Sequence, residues 1–83
     1  MINVTLYTKE DCPLCTAAKA LLAALQPRYP HRLNEVDIMA DPVVYARYRY
    51  RIPVFDIAGR EVAAPITSDD LVAALRAAAG DVP

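Results

Sequence analysis

Tyr7-Thr8-Lys9-Glu10-Asp11-Cys12-Pro13-Leu14-Cys15 is the stretch on which the reading of this chain turns. It holds both cysteines, spaced Cys-x-x-Cys, where an alternating segment gives way to one of helical period. Proline directly after Cys12 suits a first helical position, where a backbone N–H would have no intrahelical partner. Cys12 then falls at a helix N-terminus, whose partial positive charge favours a thiolate, and Cys15 falls one turn on along the same face. Two thiols so placed are a candidate redox couple.

Working outward, residues 2–7 set Ile2, Val4 and Leu6 against Asn3, Thr5 and Tyr7, the period of a β-strand. Residues 13–25 repeat Leu14, Ala18, Leu21, Leu22 and Leu25 at helical spacing, and Pro27 and Pro30 end that helix. A second strand is expected over 33–38. Asp41-Pro42 pairs an N-cap carboxylate with a proline at the first helical position, which predicts a short helix to about Tyr48. Residues 52–57 are β-branched and aromatic, a third strand that Pro53 bars from an unbroken ladder. Ala58-Gly59 turns the chain into a fourth strand over 61–63. Ser68 is read as the cap of a last helix through Leu71, Val72, Leu75 and Ala78, with Asp69 and Asp70 in its first turn, Gly80 as its stop and 81–83 frayed.

Eighty-three residues confine the chain to one small domain, 1–83. An apolar share of 55% is enough for a packed interior at that length. The net charge of −1 and the lack of a long charged run argue against nucleic acid or an anionic membrane as partner. Arg47, Arg49 and Arg51, interleaved with Tyr45, Tyr48 and Tyr50, read as a helix C-terminus with half-buried tyrosines rather than a nucleic-acid patch. No window reaches the ~20 apolar residues of a membrane span, and the first residues read as strand rather than leader. A cytoplasmic, reducing compartment is therefore expected, where Cys-x-x-Cys serves redox chemistry or metal binding rather than stapling. The chain is expected to be a monomer, and His31, the only histidine, is expected in an exposed loop without a role.

The element order, together with the placement of Cys12-Pro13-Leu14-Cys15 after the first strand, resembles the glutaredoxins of the thioredoxin-like superfamily. Leu6-Tyr7-Thr8-Lys9 resembles their active-site lead-in, Ile52-Pro53-Val54 the cis-proline segment, and residues 55–62 the closing hairpin. Two departures stand out. Ala63-Ala64-Pro65 occupies the place of a Gly-Gly pair that lets backbone approach glutathione, and Arg51-Ile52 before the proline is nearer to thioredoxins.

The resemblance implies an α/β thioredoxin-like fold, β-α-β-α-β-β-α, with a four-stranded mixed sheet and helices on both faces. It implies a thiol–disulfide oxidoreductase in which Cys12 is the nucleophile and Cys15 the more buried resolving thiol. Lys9, Pro13, Leu14, Ile52 and Pro53 would line the substrate site, with Ile52 offering its backbone to an extended chain. Lys9 favours the Cys12 anion while Glu10 and Asp11 oppose it. Substrates would be disulfide-bearing proteins or glutathione mixed disulfides, with glutathione as co-substrate or a flavoprotein reductase as donor, and no bound cofactor. Two other classes compete. A metal or iron–sulfur carrier would need thiolates from a second copy or from glutathione, because the chain supplies only two thiolates and a distant His31, so no metal site is expected. An interaction module without turnover would leave Cys12 unreactive to thiol reagents.

Overall fold

The computed structural model describes residues 1–80, so the predicted fraying of 81–83 lies outside the described residues. Four strands and three helices follow the predicted order: β1 (Ile2–Thr8), α1 (Pro13–Ala23), β2 (His31–Asp37), α2 (Pro42–Tyr48), β3 (Val54–Ile57), β4 (Arg60–Ala63) and α3 (Ser68–Ala78). A 3-10 turn, Ile38–Ala40, joins β2 to α2. The sheet order is β2-β1-β3-β4, with β1 parallel to β2 and antiparallel to β3, and β3 antiparallel to β4. The parallel pair needs a long crossover, which α1 supplies; the antiparallel pair closes on the two-residue turn Ala58-Gly59.

Alternation along the strands divides the apolar residues between two layers. Val4 and Leu6 of β1, Phe55 and Ile57 of β3 and Val62 of β4 face Ala18 and Leu22 of α1 and Leu71, Ala74 and Leu75 of α3. On the opposite face, Tyr7, Val54 and Ala63 pack with Ile38, Val44, Tyr45, Tyr48 and Ile52 under α2. Helices thus cover both faces. Each fully buried Leu, Ile or Phe contributes roughly 1.5–3 kcal/mol of transfer free energy, which makes the α1–α3 layer the main source of stability.

Local signals explain most of the boundaries. Asp41 accepts the N–H groups of Val43 and Val44 at 2.8 and 3.3 Å, capping α2 as expected. Both turn residues of the hairpin have positive φ, 51° at Ala58 and 89° at Gly59, the primed geometry that matches strand twist. Asp56 accepts the Gly59 N–H at 2.8 Å and fixes that turn.

Strand β3 begins at Val54 rather than at residue 52, since Pro53 has no N–H to give a ladder, and four further expectations are corrected. The cap of α3 is Thr67, not Ser68: its hydroxyl accepts the Asp70 N–H at 3.1 Å while the Asp70 carboxylate accepts the Thr67 N–H at 3.4 Å, a reciprocal capping box. Helix α1 stops at Ala23 rather than Leu25, and the chain passes into tighter turns ahead of Pro27. Strand β2 begins at His31, not Leu33, and ends at Asp37, because Asp37 accepts the Met39 N–H at 2.9 Å and starts the 3-10 turn. His31 itself is buried, 5% exposed, rather than a loop residue. Its backbone exchanges two hydrogen bonds with the Gln26 side chain at 2.6 and 3.0 Å. Its Nδ1 lies 2.7 Å from the Tyr29 carbonyl, which can only accept, so that nitrogen carries the proton.

Candidate active site

The register Tyr7↔Val54 brings the end of β1 beside the start of β3 at one end of the sheet. The loop from Thr8 to Cys12 and the Ile52-Pro53 segment therefore leave the sheet from adjacent strands. Asp11 takes φ 56° in that loop, a left-handed conformation that aspartate tolerates better than most residues. The Ile52–Pro53 peptide bond is cis.

Cys12 is the N-cap of α1, with extended backbone at φ −114°, and Pro13 opens the helix. Its Sγ accepts the Cys15 N–H at 3.2 Å, one of the donors that a helix leaves unpaired in its first turn. Cys12 and Cys15 are joined by a disulfide, their Cα atoms 5.2 Å apart, within the usual span for such a bond. The two sulfurs are not equally accessible: Cys15 is 2% exposed, whereas Cys12 is partly exposed.

Two clefts lie near this segment, and only the first is lined by the cysteines. The first, of about 680 Å³, has Lys9, Glu10, Asp11, Lys19 and Asp37 among its charged lining residues, together with Cys12. Lys19 pairs with Glu35 at 3.3 Å. Lys9 has no carboxylate within ion-pair distance among the described residues, and it stands in the same cleft as Cys12. The second, of about 450 Å³, is apolar and runs between α1 and the loops around Pro53 and Pro65. Leu14, two residues beyond Cys12, is 66% exposed and forms part of this second cleft.

The sequence-predicted site residues divide accordingly. Lys9, Pro13 and both cysteines line the first cleft; Leu14 and Pro53 line the apolar one. Ile52 lines neither. Its side chain packs in the layer under α2, and its N–H donates to the Tyr48 carbonyl at 3.2 Å.

Sequence reasoning missed two features. One is the apolar cleft that the helical stripe of Leu14, Ala18 and Leu21, joined by Ala17, forms with Ala64, Pro65 and Ile66. The spacing i, i+3, i+4, i+7 was the available signal, and the exposure of Leu14 shows that the stripe runs past the core. The other is a polar knot behind the Ile52-Pro53 segment. Tyr48, 4% exposed rather than half-buried, donates its phenol proton to Glu61 at 2.9 Å and stacks on Tyr7 at 4.1 Å between ring centroids. Arg51 donates to Glu61 at 2.8 Å, with Arg47 at 3.8 Å. Burial first, and then the bond to Glu61, push the Tyr48 phenol up to about 12. The Arg51 guanidinium first, and then Tyr48, hold the Glu61 carboxyl below its ordinary range. No local pattern announces a pair 13 residues apart. Tyr50, by contrast, is 84% exposed.

Among the described residues there is no group of three or more His, Cys, Asp or Glu side chains able to hold a metal ion. No described helix is long and apolar enough to cross a membrane.

A mixed four-stranded sheet with helices on both faces and a Cys-x-x-Cys disulfide capping the first helix defines a thioredoxin-like protein. Within that class the chain belongs to the glutaredoxin-like domain family, whose model matches residues 3–76. A structural-genomics target protein from X. campestris, solved by X-ray, is 34% identical over 96% of this chain and 99% of its own, with a TM-score of 0.70. A malarial protein of known structure shares the fold at 18% identity and a TM-score of 0.68, over 93% of this chain and 96% of its own. A redox-related role follows from the family and the cysteine pair together.

Proposed function

We propose that the protein is a thiol–disulfide oxidoreductase that reduces disulfides through Cys12 and Cys15. In the reduced form, the Cys12 thiolate attacks one sulfur of a substrate disulfide; a Cys12–substrate disulfide forms and the other substrate sulfur leaves as a thiolate. Cys15, deprotonated in turn, attacks Cys12 Sγ and expels the second substrate thiolate. Two electrons pass from the protein dithiol to the substrate, and the Cys12–Cys15 disulfide remains. Two glutathione molecules, which leave as glutathione disulfide, or the dithiol of a reductase, which leaves as its disulfide, return the pair to the reduced state. Substrates of this reading are disulfide-bearing proteins or mixed disulfides in a reducing compartment.

The observation that carries the proposal is the Cys15 N–H held 3.2 Å from Cys12 Sγ at the cap of α1. That donor and the helix dipole stabilise an anion at sulfur, and a thiolate is the species that reacts. The unequal burial supports the division of roles: an accessible sulfur meets the substrate first, and a covered one completes the exchange. Lys9 adds a cation to the same cleft.

Single-turnover mass spectrometry with pre-reduced protein tests this. Wild type should lose two hydrogens and release both substrate thiols. Cys15→Ser should stop at a covalent adduct on Cys12, stable until an outside thiol is added. An adduct that fails to form, or one that resolves as fast as in wild type, contradicts the assignment.

A further inference from the structure

The apolar cleft that Leu14 and Pro53 line has a chemistry of its own. Its lining side chains, Leu14, Ala17, Ala18, Leu21, Pro53, Ala64, Pro65 and Ile66, carry neither a charge nor a hydrogen-bonding group. The backbone of its far wall is nearly as poor in donors. Pro53 and Pro65 have no N–H, the Ala64 N–H donates to the Pro53 carbonyl at 3.2 Å, and the neighbouring Ile52 N–H donates to Tyr48. Of the positions Ile52, Pro53, Ala64, Pro65 and Ile66, only Ile66 keeps an N–H without a partner among the described residues. The Ile52 carbonyl accepts no bond among them.

Such a surface suits one kind of occupant. A carboxylate needs several donors or a cation to replace its water, and its desolvation here would go uncompensated. An aliphatic or aromatic side chain loses nothing polar on entry and gains burial against the prolines and leucines. A neighbouring peptide N–H complements the vacant Ile52 carbonyl. Glutathione, with two carboxylates and one ammonium, is a poor match to this cleft, and Lys9 is a cation of the other one.

Resting on the exchange activity proposed above, we infer that the preferred substrate is a polypeptide disulfide with an uncharged apolar residue flanking its cysteine, seated in the cleft between Leu14 and Pro65, in preference to glutathione disulfides. Leu14 connects the cleft to the chemistry. It lies two residues past the attacking sulfur, so a side chain adjacent in sequence to the substrate cysteine has a short reach to it.

The test uses pre-reduced full-length protein and short peptides whose one cysteine is in disulfide linkage with a small aromatic thiol. The flanking residue is Leu, Ser or Asp, and glutathione carrying the same leaving group is the fourth substrate. The expected order in the second-order rate constant of exchange is Leu above Ser above Asp and glutathione, with about tenfold between Leu and Asp, the scale on which an apolar pocket discriminates. In Ala17→Asp, an exposed helix position, the Leu-to-Asp ratio should collapse to about one or below. Exchange that proceeds equally with all four, or fastest with glutathione, overturns this inference and leaves the oxidoreductase reading standing. A pre-reduced protein that exchanges with none of the four overturns both.

Discussion

Tyr48→Phe probes the knot that anchors the segment leading into Pro53. The substitution keeps the ring, and with it the 4.1 Å stack on Tyr7, and deletes only the oxygen bonded to Glu61 at 2.9 Å. A hydrogen bond to a charged partner contributes about 1.5–3 kcal/mol. Glu61 is 30% exposed in its side chain and keeps Arg51 at 2.8 Å, so water and the guanidinium recover part of the loss. The expected net destabilisation is about 1 kcal/mol, or ~4–8 °C in Tm for a chain of this size. Chemical denaturation at neutral pH measures the difference. Titration of tyrosinate absorbance supplies an independent reading. Because the folded phenol is raised from 10.0 to about 12, its contribution is complete below pH 10 and lost as the pH climbs from there through about 12. Wild type should show one late ionisation step that the variant lacks. Equal stability of the two proteins, or the same late step in Tyr48→Phe, refutes the reasoning.

Other expectations follow from the same structure. Glu61 is held below its ordinary value of 4.5, chiefly by Arg51, so its stabilising effect is present above that pH and lost as the pH falls through its lower folded value. Glu61→Gln should flatten the acid limb of the stability profile, as followed by circular dichroism between neutral pH and pH 2; an unchanged limb rules out Glu61 as a contributor. Ala58 sits at φ 51°, where an L-residue other than Asn, Asp or Gly is strained, so Ala58→Asn should stabilise the hairpin by roughly 1 kcal/mol in a denaturant titration. A neutral or negative result would mean that the turn relaxes without strain.

The parts of this protein that were legible in its sequence are those with local signals. Cys12-Pro13 and Asp41-Pro42 each combine a cap with a proline that fits only a helix start, and both helices begin there. Ala58-Gly59 is a turn for the same local reason. Thr67-x-x-Asp70 was equally readable, but the adjacent Ser68 offered a competing cap, and only the reciprocal bonds decide between them. The burial of His31 has no local signal, because it depends on Gln26 and Tyr29, which the fold rather than the neighbouring pattern brings to it. Tyr48 and Glu61 meet across α2 and β4 for reasons of register, and the apolar cleft exists only once α1 lies against Pro53 and Pro65. The cysteines were visible from the start; the surface that would select their substrate was not.

The central claim is that the Cys12 sulfur is held as an anion by the opening of α1. The rate of alkylation of reduced Cys12 against pH, read site by site by mass spectrometry, tests it most directly. The account predicts a midpoint clearly below the ~8.5 of a free cysteine, with Cys15 reacting far more slowly across the range. A Cys12 midpoint at or above ~8.5, or a Cys15 that reacts as readily, would contradict it.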